Sequence, residues 1–472
     1  MSQLAGRLAA VNGRPWLLRT ILVAALAACG GGGGGGGDGS LVAGDVGGAS
    51  ASGGGGQGSG TTAGTAGMPS GGSGSGGTGQ GSGTPPVTPG APSNGGEVAV
   101  IYRVFQLTPY DDGSCHSCVN AAGQMAVTAS HAGRFASFFD GPTNTSRLLD
   151  PSPSFMWSSA AAMNEAGQVA GGIQMADGLV HAARWTPDAG SGPIPPLDLG
   201  APEGGSSIGA AINEAGQVAG TQSPSPGFGS SSPQRAFLWT EGSGRMDLGE
   251  PPAPFTHTTA LHLNEAAQVA GSMRTDDAEP GTHAFVWSAT AGIRDLGTFG
   301  GPNATVRALN DAGQAAGNAE LAPLQSETAH HAFLWSAVGG LRDLGTLGGP
   351  QSDALAMNRS GQVVGQADSA EGADPRPHAF LWSDGTMQDL GTLGGPASVA
   401  AAINDSGQVV GRSALAGSDR THAFIWTAAQ GLVDLNTRVS GVELIDAFAI
   451  SRSGAILAMS SGRFLVLLLP SS

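Results

Sequence analysis

An asparagine returns along this chain at positions 120, 164, 213, 264, 310, 358 and 404, with Ser451 in its place at the end. The steps are 44, 49, 51, 46, 48, 46 and 47 residues. A period of this size belongs to propellers, solenoids and arrays, whose single units cannot bury an apolar face alone and therefore stack on their copies. The clearest copy runs from 378 to 411. It reads His378-Ala379-Phe380-Leu381-Trp382, Asp389-Leu390-Gly391, Gly394-Gly395-Pro396, Ala402-Ile403-Asn404 and Gly407-Gln408-Val409-Val410-Gly411.

Each unit resolves into four short strands, named A to D here. Residues 397–403 are a small-residue strand A, closed by a tight turn at Asn404-Asp405-Ser406-Gly407. The Asn side chain can bond its own backbone there, and Gly supplies a positive φ. Gln408 to Gly411 is strand B, and a variable polar loop follows. His378 to Trp382 is strand C, rich in aromatic, β-prone residues. Ser383-Asp384-Gly385 turns into strand D, Thr386 to Leu390, and the Gly-rich run 391–395 crosses to the next A. A four-stranded meander of 44 to 51 residues is a propeller blade. Strands apolar on both faces fit a blade held between two others.

The ends support closure. The last unit has A (444–450), B (455–460) and C (462–469) but no D. The first A (114–119) is preceded by the apolar segment 98–107, whose Leu107 falls within one residue of the place Leu390 holds. The N-terminal strand can therefore complete the last blade and remove the exposed edges. The expectation is an all-β protein, a β-propeller of eight four-stranded blades over residues 97–472.

The HAF-x-W, DLGTLGG and IN-x-x-GQVVG segments resemble the HAF-family extracellular repeat of bacteria. The resemblance covers roughly 120–470, is strongest over 264–435, and fades at both ends. His283, His331, His378 and His422 keep the HAF start, whereas Arg235 replaces His in one copy and 181–185 reads His-Ala-Ala-Arg-Trp. The family lends no activity.

Ahead of the repeats, residues 1–28 read as an export signal, with Arg7, Arg14 and Arg19 before a short apolar run. Leu26-Ala27-Ala28-Cys29 resembles the lipobox of bacterial lipoproteins, which implies lipidation of Cys29. Gly30 after it leans toward the outer membrane rather than retention at the inner one. Residues 30–96 are almost wholly Gly, Ser, Thr, Ala and Pro, too polar and small to offset the entropy of ordering. A coil of that length spans roughly 45 Å, a flexible tether between the lipid and the body. No segment has the 18 consecutive apolar residues of a membrane helix.

Charge and motifs bound the chemistry. The net charge is -16, and removing the leader leaves 17 cationic residues, all Arg, against 36 acids. Such a chain is not expected to bind nucleic acid. The HAF histidines, one per blade, are expected not to converge on a metal and instead to hydrogen-bond the Asp of DLG (Asp295, Asp343, Asp389). His330-His331 is a local pair, but adjacent residues on a strand face opposite ways. Cys115-His116-Ser117-Cys118 could form a disulfide in an oxidising compartment, stay as thiols, or serve a metal or redox role. No nucleophile elbow or P-loop is present, so no catalytic residue, cofactor or metal is assigned.

The long B–C loops share one face and carry Asp276, Asp277, Glu279, Glu320, Glu327, Asp368, Glu371, Asp374 and Asp419. Variable loops on a rigid scaffold are where binding tends to sit. This acidic face is expected to bind a cation or a basic partner, or else serves as solubilising charge. The functional expectation is a monomeric, non-enzymatic binding scaffold, anchored by lipid to the outer membrane at the surface or facing the periplasm. Its partner would be a protein or polysaccharide. Two rivals stand beside it. One is an envelope-assembly lipoprotein. The other is a carbohydrate-active enzyme using the axial channel, for which Asp353, Asp446, His257, His262 and Arg307 are the charged or titratable residues on inner strands.

Overall fold

The computed structural model describes residues 100–109, 119–128, 135–149, 155–228, 232–275, 281–322, 329–370, 376–418 and 420–471. They form an eight-bladed β-propeller. Seven sheets have four antiparallel strands, and the first has three described strands, Gln124–Thr128, Ala136–Asp140 and Thr145–Leu149. Residues 110–118, where its strand A is expected, lie outside the described residues, and Val119 bridges to Met125.

Blade 7 shows the common plan: A is Gly394–Ile403, B is Val409–Leu415, C is Thr421–Thr427 and D is Gly431–Asp434. In blade 8, Leu444–Ile450, Ile456–Ser460 and Phe464–Pro470 are A, B and C, and the N-terminal strand Tyr102–Pro109 pairs with C as the missing D. Gln106 stands opposite Val466 as Asp389 stands opposite Phe380, so Leu107 takes the chain position of Leu390. The ring thus closes by strand pairing between the two ends of the repeat region. Ser453 Oγ, donating to the Ala121 carbonyl at 2.7 Å, joins blade 8 to blade 1 at the turns.

The packing explains the pattern of each unit. Strands B and C lie between two neighbouring blades, so both of their faces are buried, as in Ile456–Ser460 and in the Ala-Phe-Ile-Trp run 423–426. The A strands of successive blades pack side by side around the axis, while the D strands diverge at the rim. Each A strand from blade 2 to blade 8 carries a bulge at which the register skips one residue: Ala161, Ala210, Leu261, Arg307, Leu355, Ala401 and Phe448. A bulge sharpens local twist and re-aims a side chain. Here it lies on the innermost strand of the sheet, and Leu261 is 36% exposed there.

Candidate functional site

The repeated polar residues knit the scaffold together. His Nδ1 lies 2.7–3.0 Å from the Asp carboxylate of its own blade in His181–Asp198, His283–Asp295, His331–Asp343, His378–Asp389 and His422–Asp434. The same Asp accepts from a backbone N–H two residues on, as at Gly345 and Gly391, 2.7 Å away. That bond fixes the DLG turn. Burial raises the Asp295 carboxyl, but the bonds from His283 and Gly297 outweigh it and leave the group below its usual value. Where Arg235 replaces His, it bonds the Thr256 carbonyl and Glu250, and Gln222 takes over Asp247.

In three blades the Ala after the His joins the next blade. Ala379 N donates to Ser398 Oγ at 2.8 Å, and Ser398 Oγ donates to the Gly391 carbonyl at 2.6 Å. Ala332–Ser352 and Ala182–Ser207 repeat the arrangement. At the A–B turns each Asn Nδ2 donates to its own Gln, as Asn404 does to Gln408 Oε1 at 2.8 Å. It also reaches a carbonyl of the next blade, as Asn404 does to Ser451 O at 3.1 Å. Every HAF histidine is thus held within its own blade. Among the described residues, no group of three or more His, Cys, Asp or Glu could hold a metal ion.

One cluster breaks the repeat. It sits between blade 5 (Gly300–Leu309, Ala315–Leu321, His330–Ser336 and Gly340–Asp343) and blade 6 (Gly348–Met357, Val363–Ser369, Pro377–Ser383 and Thr386–Gly391). His330 and His331 do part as neighbours on a strand must. His331 turns to Asp343 of its own blade, and His330 Nε2 meets Asp353 Oδ1 of the next at 2.9 Å. Gln366 Nε2 donates to the other Asp353 oxygen at 3.0 Å. Burial alone would pull His330 down, but the bond to Asp353 and the charges of Asp353, Glu320 and Asp368 leave its pKa raised. Burial would raise Asp353, yet His330, Gln366 and the Arg307 charge leave it lowered. The pair is therefore ionic between the folded pKa values of its two members, with each side chain 20% exposed. A His–Asp pair flanked by a guanidinium can hold a proton, a carboxylate or a hydroxyl-rich ligand.

Of the residues expected on inner strands, the structure brings Arg307 and Asp353 into one neighbourhood. Asp446 stands apart, paired with Arg412 Nη1 at 2.9 Å. His257 is fully buried, and its Nδ1 accepts from the Gln234 N–H at 3.0 Å. His262 is partly buried on strand His257–Leu263. Gln366 was not singled out by the sequence, and His330 was noted only as the neighbour of His331, facing the other way. The only signal was that His330 fills a place held elsewhere by Val180, Gln234, Thr282, Pro377 and Thr421.

Of the expected acidic face, Asp276, Asp277, Glu279, Glu327, Glu371, Asp374 and Asp419 lie outside the described residues, as do Cys29, Cys115 and Cys118. Asp368 corrects that expectation. It is a strand residue, 4% exposed at the end of Val363–Ser369, and its charge acts on His330 rather than on solvent. Glu320 ends strand B of blade 5, where Asn303 Nδ2 donates to it at 2.9 Å.

No family model and no curated protein matches the chain. Among solved structures, a puromycin hydrolase is similar at 15% identity and a TM-score of 0.42, over 74% of this chain and 58% of its own. The chain thus spans little more than half the length of that structure. An oligogalacturonate lyase in complex with manganese is similar at 10% identity and TM-score 0.40, over 79% and 97% of the two chains. A gluconolactonase from Xanthomonas campestris is similar at 12% and 0.27, over 50% and 79%. Likenesses this distant assign no activity.

Proposed function

We propose that this chain is an exported, lipid-anchored HAF-repeat propeller that works by binding, with the tether presenting a rigid ring at the outer membrane. One observation carries the reading. The polar groups that recur from blade to blade are consumed in bonds within and between blades, and one group of charged residues that does not recur, Arg307, His330 and Asp353, stands between blades 5 and 6. Recurring chemistry builds the scaffold, and the unrepeated residues are left for recognition. The lipobox-like Leu26 to Cys29 and the Gly/Ser-rich tether support attachment through lipid at Cys29. The chain's net charge of -16 favours a protein or polysaccharide partner over nucleic acid.

A second reading, a carbohydrate-active enzyme, is favoured by the His330–Asp353 pair. These are two titratable groups at hydrogen-bond distance beside Arg307, the composition general acid–base work uses. Protease treatment of intact cells tests the leading reading. Loss of the body with a periplasmic control spared would set it at the surface. Protection until the outer membrane is opened would instead favour an envelope-assembly role. Cys29→Ser should abolish palmitate labelling, and labelling that persists would overturn the anchor.

A further inference from the structure

Arg307 is the outlier of the ring. It is the bulge residue of strand Gly300–Leu309, a position that carries Leu261, Leu355 and Phe448 in other blades. Among the described residues its guanidinium makes no hydrogen bond and no ion pair, and its Nε is buried. Asp353 is close enough to act on it by charge, but the contacts its two oxygens make are with His330 and Gln366. A guanidinium stays charged at any physiological pH. Half-burying it with no hydrogen bond costs stability that an apolar residue would not cost. Burial also holds the group below its ordinary pKa, partly offset by Asp353.

We propose that Arg307 is the anchor of an axial binding site for a carboxylate-bearing ligand. A guanidinium matches a carboxylate fork to fork, two parallel N–H···O bonds at once. A single Arg beside Asp353 favours a monoanion over a dianion such as phosphate, because the Asp353 carboxylate repels each added charge. His330 and Gln366, already oriented by Asp353, stand beside the site as further polar groups for hydroxyls. Leu261 and Leu355 on the flanking blades offer apolar surface to the body of the ligand. The proposal rests on the reading of the ring as a binding module and names the chemistry of its site.

The test uses the purified full chain and two matched probe pairs. Glucuronate is compared with glucose, and acetylated trialanine as free acid with its amide, all by calorimetric titration. The acid of at least one pair should bind about tenfold or more tighter than its neutral partner, the scale of a charge-assisted bond. Which pair shows the preference tells a sugar acid from a peptide carboxylate. Arg307→Gln should remove the preference. A second readout needs no ligand: Arg307→Met should raise the denaturation midpoint of the free protein, because it removes a half-buried charge whose desolvation outweighs its attraction to Asp353. No preference in either pair, a preference that survives Arg307→Gln, or a lower midpoint for Arg307→Met would each overturn the proposal. None of these results depends on where the chain sits in the envelope, so they are distinguishable from failure of the protease test.

Discussion

Replacing Gly411 by alanine probes why the second strand of a unit carries glycine where it crosses the bulge. Gly171, Gly220, Gly271, Gly317, Gly365 and Gly411 share this place, and a Cβ added at any of them would fall 1.8–2.2 Å from a strand A carbonyl oxygen. At Gly411 the oxygen is that of Val399, 1.9 Å away, and the Phe424 ring is 3.0 Å away. Its φ is ordinary, so the cost is steric rather than conformational. Both obstacles belong to the sheet itself, one of them backbone. The strands must therefore part by about 1.1 Å to reach the 3.0 Å floor of real contacts. Overpacking of this kind costs about 1–3 kcal/mol. A strained ladder bond adds roughly 1 kcal/mol, so the total is about 2–4 kcal/mol. Urea unfolding followed by tryptophan fluorescence should show a lower midpoint at unchanged slope. Gly192→Ala is the control. That residue is exposed, has ordinary φ and has nothing within 4 Å of an added Cβ. It should be neutral, or stabilising by up to about 1 kcal/mol through the unfolded state. Gly411→Ala within about 0.5 kcal/mol of the parent, or equal damage from Gly192→Ala, would refute the steric argument.

Three other outcomes follow from the same contacts. Asn404→Ala loses its bonds to Gln408 and to the Ser451 carbonyl at a site 5% exposed, and should cost about 2–3 kcal/mol in urea unfolding. Asn404→Ser should cost less, because Ser451 in the equivalent place still accepts from the Ala455 N–H at 3.0 Å. Asp389→Ala removes the His378 contact and the Gly391 bond at a rim site, its side chain 41% exposed, and should cost only about 1 kcal/mol. The His330–Asp353 pair gives a pH signature. The raised His330 pKa contributes stability fully present below its ordinary value of about 6.5 and lost as pH rises through the folded value. The lowered Asp353 pKa contributes stability present above about 3.9 and lost as pH falls through its folded value. The midpoint difference between parent and His330→Gln should therefore be largest between about pH 4 and 6.5 and shrink on the alkaline side. A difference constant up to pH 9 would exclude the ion pair.

The fold was legible because the unit is short, its turns are chemically marked, and its copies are in phase. Asn404 with Gly407 marks the A–B turn, Asp384-Gly385 the C–D turn, and Asp389-Leu390-Gly391 the exit from D. Each mark corresponds to a bond or a positive φ in the structure. Closure was legible because the ends are complementary fragments of one unit, and Leu107 falls at the place of Leu390. The bulges on strand A were not legible. Ala400-Ala401-Ala402 gives no sign of which residue is left out of the ladder. The unpaired place shows only when the register against Gly411 and Val410 is known.

The site was half legible for the same reason. Arg307 and Asp353 stood out as charged residues on inner strands, but their nearness depends on two registers and on the contact between two blades. His330 stood out least, because it adjoins a histidine whose role is repeated. On a strand the two must face apart, so one serves blade 5 and the other reaches blade 6. Asp368 misled because it ends a strand that runs into a polar loop, and sequence cannot say whether the last carboxylate belongs to the loop or to the interior. Periodicity then separates roles that composition cannot. A histidine that recurs in five blades at one distance from one carboxylate is accounted for by the blade. The unpaired guanidinium at one bulge is not accounted for by any blade, because Leu261, Leu355 and Phe448 show that the ring closes with an apolar residue there.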